Sequence, residues 1–234
     1  MQPKCSPRRF LHTYRFKMRK YVSPNGVKMH YFICATPRSG STLLHKLLES
    51  TEVAGHCKEF QAREGSYEKL MLEPTSNNVT SIKVMRESFD QIPRDVFKLA
   101  KHIWVRRKDK VYQAIFLIRA LKEDKWASDD GKMPKVINPK IPNHEIDAKL
   151  EWLVEQENEW EMIFKKLNIK PMTIWYEDLA ATVKTQEKII TSVLNFLEIK
   201  ENPAKWPPMA GITQQRDAYT KTVYQAYQDS KCGR

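Results

Sequence analysis

The stretch HYFICATPRSGSTLLHKLLES, His30 to Ser50, decides the fold. His30–Ala35 is a short apolar run of β-forming residues, long enough for a buried strand and too short for a helix. Ser41–Ser50 then places Leu43, Leu44, Leu47 and Leu48 on one stripe, which is helical spacing. Thr36-Pro37-Arg38-Ser39-Gly40 makes the turn between them. This strand–turn–helix unit is the building block of a parallel sheet covered by helices.

Outward from it the same alternation repeats. Ser81–Met85, His102–Val105 and Met172–Tyr176 read as three further strands. Helices are predicted over Asp90–Ala100, with Pro93 tolerated in the first turn, and over Asp109–Leu121, with Val111, Ala114, Ile115, Ile118 and Leu121 inward. Glu145–Leu167 is the longest, with Ile146, Leu150, Leu153, Trp160, Phe164 and Leu167 on one face. Val183–Leu197 follows with Ile189, Ile190, Val193, Leu194 and Leu197 inward, and Gln214–Gln228 is a weaker terminal helix. Lys125–Asn143 is proline-rich and irregular, a length usually given to lids or binding loops. The expected fold class is α/β: a P-loop-like three-layer sandwich, with a central parallel sheet flanked by helices.

The chain has 234 residues, of which 41% are hydrophobic and 29% charged, so one packed domain is expected. Residues 1–28 read as a basic extension closed by a turn at Ser23-Pro24-Asn25-Gly26, and residues 29–234 as the domain. Collagen, coiled-coil and disulfide-scaffold classes are excluded by composition. Lys and Arg number 40 against 28 Asp and Glu, a net +12, which favours an anionic partner. No apolar run approaches the roughly 20 residues of a membrane span, and the start of the chain has no apolar signal core. Cys5, Cys34, Cys57 and Cys232 form no CxxC pair, so a reduced, cytoplasmic setting is expected. The six histidines include no pair at helical metal-ligand spacing, and no metal is predicted.

The Thr36–Thr42 turn carries the chemistry. In an open parallel sheet, ligands bind where strand carboxyl ends meet helix amino ends, and a first helical turn offers unpaired N–H groups and a positive dipole end. Gly40 lets the backbone curl around one anion. Ser39, Ser41 and Thr42 add hydroxyls. An ordinary capped turn would use the same small residues, but Arg38 in the bend favours phosphate or sulfate. A nucleoside-triphosphate loop reads GxxxxGK[ST] and needs an acidic residue for magnesium. Here no glycine opens the loop, no lysine follows Gly40, and the third strand ends in Arg106-Arg107-Lys108. Cations at two strand ends point to a highly anionic ligand held directly.

PRSGSTLL resembles the 5′-phosphosulfate loop of sulfotransferases that use 3′-phosphoadenylyl sulfate (PAPS), and most closely the Stf-zero type, typified by the mycobacterial trehalose 2-sulfotransferase. In order, RSGSTLL, VAGHCKEF (Val53–Phe60), IKVM, VRRKDKVYQAIFLIRAL (Val105–Leu121), QENEWEMIF (Gln156–Phe164) and QQRD (Gln214–Asp217) carry the likeness, and Trp175–Leu179 resembles the sulfotransferase YEDL segment. The likeness runs from about Tyr31 to Tyr227.

The resemblance implies transfer of a sulfuryl group from PAPS to an acceptor hydroxyl, leaving adenosine 3′,5′-bisphosphate. It makes Glu59 the general base, with His56 a rival base or an acceptor contact. Arg38 and Lys83 would face the transferring group, and Pro37, Arg38, Ser39, Gly40, Ser41 and Thr42 would cradle the 5′-phosphosulfate. Arg107 would read the 3′-phosphate, with Arg106 solvated beside it, and Arg216 would close over that phosphate. The family's usual serine donor on the following helix is replaced by Tyr112 and Phe116. Glu177 and Asp178 are given structural roles. Trp126 is a candidate to stack on a sugar. The expected acceptor is a carbohydrate or other small molecule, or a glycolipid, met by loops around Gln61–Asn78 and Lys125–Asn143. A homodimer is compatible with the family. The competing readings are a nucleotide kinase or phosphotransferase and a basic RNA-binding module; no nucleic-acid partner is expected.

Overall fold

A computed structural model describes residues 29–60, 79–126, 138–200 and 217–233. Five strands form one all-parallel sheet: β1 (Met29–Ala35), β2 (Cys57–Phe60), β3 (Thr80–Met85), β4 (Lys101–Arg106) and β5 (Met172–Trp175), in the spatial order β2-β3-β1-β4-β5. The order reverses at β1, so the crevice beyond the ends of β1 and β4 is the place where such a sheet receives ligands.

The helices are α1 (Ser41–Ser50), α2 (Arg94–Leu99), α3 (Lys110–Glu123), α4 (Asn143–Leu167), the single turn α5 (Tyr176–Leu179), α6 (Val183–Leu197) and α7 (Ala218–Lys231). The sheet is buried on both faces because β1 alternates between them. Tyr31 and Ile33 pack with the leucines of α1 and with Ile190, Val193 and Leu194 of α6. Phe32 and Cys34 face Phe97 of α2 and Trp160 and Phe164 of α4. The three-layer sandwich expected from the sequence is present. A third cluster joins α3, α4 and α7 through Ile115, Ile118, Leu153 and Tyr227. No helix among the described residues is long and apolar enough to cross a membrane.

Three elements differ from the sequence reading. β2 went unread because four residues with two charges carry no strand signal; it lies at the sheet edge, where short charged strands are tolerated. The helix expected over Asp90–Ala100 is split into a 3-10 turn over Arg86–Gln91 and the short α2. Ile92, forced by Pro93 into extended backbone, separates them. Leu121, expected inward, is half exposed on the last turn of α3. Residues 1–28, 61–78, 127–137 and 201–216 lie outside the described residues, and with them the expected basic extension and most of the two expected acceptor loops.

His102 of β4 is buried among Phe32, Phe97 and Phe164, and its Nε2 lies 2.8 Å from the carbonyl oxygen of Phe97, which accepts its proton. Burial pushes the imidazole down to about 4, against an ordinary 6.5. The unfolded chain therefore holds the extra proton between those values, so stability is full above about pH 6.5 and is lost as pH falls through 4. The contribution is about 3 kcal/mol. Urea unfolding midpoints are expected to fall across that window in the wild type and to fall less in His102→Gln. Equal slopes would show that His102 is not the titrating group.

Candidate active site

The Thr36–Gly40 turn is held from outside by four different elements. Trp160 of α4, fully buried, donates its Nε1–H to the Ala35 carbonyl at 3.0 Å. Gln113 of α3, also fully buried, donates through Nε2 to Thr36 Oγ1 (2.9 Å) and to the Pro37 carbonyl (2.8 Å). Arg107, just past β4, donates through Nη1 to the Arg38 carbonyl at 3.2 Å. Tyr176 of α5 lies against Gly40. A trans peptide points C=O and N–H in opposite directions, so anchoring the Pro37 carbonyl on Gln113 turns the Arg38 N–H to the other side.

The backbone conformation required is unusual. Arg38 (φ 61) and Gly40 (φ 95) both lie in the left-handed region, and Gly40 is the cap residue immediately before α1. Ser39 Oγ is buried without a hydrogen-bond partner among the described residues. A buried hydroxyl left so is costly unless a ligand completes it. Ser41 is buried and Thr42 exposed in the first turn of α1.

Behind the turn a polar network fixes the Gln113 amide. Glu157 of α4, almost buried, receives Arg106 Nη2 (2.8 Å) and Lys110 Nζ (2.6 Å). Lys110 also donates to the Arg107 carbonyl (2.6 Å) and to Gln113 Oε1 (3.1 Å). With Oε1 committed to a cation, Gln113 must present its NH₂ to the turn. Burial pushes the Lys110 ammonium downward against the opposing pull of Glu157. Arg106, expected to be solvated, is instead half-buried between Trp104 and Trp175 and paired with Glu157. Arg107 is the buried one of the two, over the rings of Phe116 (5.1 Å) and Tyr176 (4.5 Å). Burial and the charge of Arg107 push Arg38 down to about 10, so it stays protonated at neutral pH.

Beside the turn, Glu59 of β2 and Lys83 of β3 sit opposite one another in register. Lys83 Nζ lies 2.7 Å from Glu59 Oε2 and donates to Thr42 Oγ1 at 3.2 Å. Lys83 is almost fully buried and Glu59 is partly exposed, so the carboxylate can meet a solute while its charge is balanced from behind. The structure thus brings together Glu59, Lys83 and Thr42 at the amino end of α1, next to Pro37, Arg38, Ser39, Gly40 and Ser41.

Of the other sequence candidates, Trp126 reaches the turn through its backbone: its carbonyl accepts from Arg38 Nη1, and its ring is exposed. His56 is not brought to Glu59; its Nδ1 contacts Glu49. Arg216 lies outside the described residues, although its neighbour Asp217 caps α7 and pairs with Arg119 of α3. Phe116 and Tyr112, where a serine was sought, are an aromatic floor for Arg107 and a stacking partner of Tyr224 (4.1 Å). Glu177 accepts the backbone N–H groups of Lys108 and Asp109, and Asp178 pairs with Lys108. The sequence reading missed Gln113 and Tyr176. Gln113 leaves a faint signal as the one amide in VYQAIFLI, and Tyr176 leaves one only as the first residue of the YEDL segment.

A family model described as Stf0 sulphotransferase matches residues 30–69 and 68–226. Among solved structures, the crystal structure of mouse sulfotransferase SULT7A1 complexed with PAP is similar, with a TM-score of 0.50 and 17% identity over 87% of this chain. The chain spans 65% of the length of that structure's chain, and the likeness is one of fold. No curated protein sequence matches significantly.

A Cβ at Gly40 would stand 2.4 Å from Tyr176 Cδ2. Gly40→Ala is therefore expected to lower stability by about 1 kcal/mol for the left-handed backbone and further for the clash. In the double variant Gly40→Ala/Tyr176→Ala the steric part should be recovered and the backbone part should remain, a coupling readable from urea melts. Strict additivity of the two single changes would mean that Tyr176 does not seat on Gly40.

Proposed function

The chain belongs to the Stf0 sulphotransferase family, and from that premise we propose that it moves a sulfuryl group from PAPS to a hydroxyl of a carbohydrate-bearing acceptor. The observation that carries the reading is the Lys83–Glu59 pair, 2.7 Å apart and joined through Lys83 to Thr42 at the mouth of the anion turn. A base and a cation then stand beside a phosphate cradle. Adenosine 3′,5′-bisphosphate, the group that carries activated sulfate, fits the residues present. Ser39 Oγ is a buried donor lacking a partner among the described residues, and the Gly40 bend sits where any side chain would strike Tyr176.

When bound, PAPS supplies a sulfuryl group already activated on its 5′-phosphate. Ser39, Ser41, Thr42 and the amides of the turn hold that phosphate end, and Arg38 balances the charge that grows on the leaving phosphate oxygen. Arg107, on its floor of Phe116 and Tyr176, takes the 3′-phosphate; a planar guanidinium suits two oxygens at once. Glu59 accepts the proton of the acceptor hydroxyl as its oxygen forms the new bond to sulfur and the bond from sulfur to the phosphate oxygen breaks. Lys83 orients Glu59 and faces the transferring group. Trp126, at the rim beside Arg38, offers an apolar plate to a sugar. Arg216 would cover the 3′-phosphate from the chain segment before α7. A glycolipid carries the same hydroxyl chemistry as a free sugar.

Calorimetry with adenosine 3′,5′-bisphosphate should give binding that Arg38→Ala and Arg107→Ala each weaken by about 10- to 100-fold, the worth of a charge-assisted hydrogen bond. Transfer of labelled sulfate from PAPS to a panel of sugars and glycolipids should fall by about 10² to 10⁴ in Glu59→Gln, with nucleotide affinity almost unchanged. Wild-type turnover in Glu59→Gln would remove the base assignment. Absence of nucleotide binding would remove the activity itself, and turnover of ATP with magnesium in its place would make the protein a phosphotransferase.

A further inference from the structure

On the flank of α1 that faces β2, three side chains converge that the transfer reaction above does not use. His45 and Glu49 are four residues apart on α1 and therefore share one face. His56 stands just before β2. His45 Nε2 lies 3.5 Å from Glu49 Oε2, and His56 Nδ1 contacts Glu49 Oε1. The two imidazoles meet nearly edge to face, 70° apart in plane with centroids 5.7 Å apart. One ligand atom from each residue lies within 4.8 Å of the others.

His45 is the member that points to a ligand. Its Nε2 is buried and makes no hydrogen bond among the described residues. Neutral imidazole is the form that binds metal. A helical His and Glu at this spacing, with a second imidazole nitrogen from the residue just before the following strand, is a donor set for tetrahedral Zn²⁺, whose bonds to imidazole nitrogen and carboxylate oxygen are about 2.0–2.2 Å. Donor atoms around such an ion are about 3.4 Å apart, so drawing three atoms in from 4.8 Å takes only side-chain rotation. Glu49 and His56, both exposed, have room for it. Two nitrogens among three donors favour Zn²⁺, Co²⁺ or Ni²⁺ over the oxygen-seeking Mg²⁺ and Ca²⁺. Cys57, adjacent to His56, is turned into the core cluster and buried there; water from the open side would complete the shell.

We propose that His45, Glu49 and His56 form a binding site for one Zn²⁺-class cation, which fastens the carboxyl-terminal half of α1 to the chain entering β2. The site lies outside the anion turn, yet it touches the two elements that bring Thr42 and Glu59 together. A bound ion would make the position of β2, an edge strand of four residues, less dependent on the Lys83–Glu59 pair.

The test uses full-length, untagged protein stripped with a chelator. Calorimetric titration with Zn²⁺ is expected to show one ion per chain, and Co²⁺ to give the visible absorption of a low-coordinate site with nitrogen donors. His56→Ala and Glu49→Gln, both at exposed side chains, should each weaken Zn²⁺ by about tenfold or more and abolish the Co²⁺ bands. Far-ultraviolet circular dichroism should show both variants folded. Zn²⁺ should raise the melting temperature of the wild type and not of His56→Ala. Absence of Zn²⁺ binding in the wild type overturns the proposal. So does undiminished Zn²⁺ binding in the variants, which would put the ion elsewhere, or Mg²⁺ competing on equal terms, which would mean an unselective carboxylate contact.

Discussion

The whole site depends on where the carbonyl oxygens of one short turn are sent. The carbonyls of Ala35, Pro37 and Arg38 are each taken by a donor from a different part of the molecule, namely Trp160, Gln113 and Arg107. Backbone carbonyls must be satisfied somewhere, and satisfying these from the protein side turns neighbouring N–H groups of the turn towards the ligand side. The left-handed conformations of Arg38 and Gly40 follow from that demand. At Arg38 that conformation is strained, and it persists because packing over-determines it; at Gly40 it is open to glycine without strain.

This places structural and chemical burden on residues far from the turn in sequence. Glu157 never approaches the turn, yet by holding Lys110 it fixes which end of the Gln113 amide points forward. The three helices α3, α4 and α5 therefore act together on five residues, and a buried ionic network serves as the coupling. Its net worth to stability is small, since desolvation of Glu157 and Lys110 offsets much of their attraction. Its worth lies in selecting one orientation.

The sequence made the sandwich legible because parallel strands buried on both faces leave nearly continuous apolar runs, and His30–Ala35, Ser81–Met85 and His102–Val105 are such runs. The turn was legible because glycine, hydroxyls and arginine have few other reasons to cluster between a strand and a helix. Gln113, Tyr176 and Arg106 were not legible in their roles. What they do is decided by which elements pack together, and no local pattern encodes that. β2 was hidden for a related reason: CKEF buries only Cys57 and Phe60, and its pairing is set by β3 rather than by its own propensity.

The register of β2 explains why the carboxylate and the ammonium meet. In a parallel pair, residues opposite one another point to the same face, so Ile33, Lys83 and Glu59 form a row across β1, β3 and β2 that faces α1. Along that row the sheet passes from a fully buried aliphatic side chain, through a buried cation, to a partly exposed anion. A slip of one residue would send Lys83 and Glu59 to the opposite face, among Phe97 and Trp160, where neither charge has a partner. Register is thus enforced by the same two groups that the proposed reaction needs. Lys83 is shared between Glu59 and Thr42, so an anion arriving beside Thr42 competes with Glu59 for one ammonium. In the proposed reaction that competition loosens the hold on Glu59 at the moment a proton must be taken, and donor binding and base activation become one event.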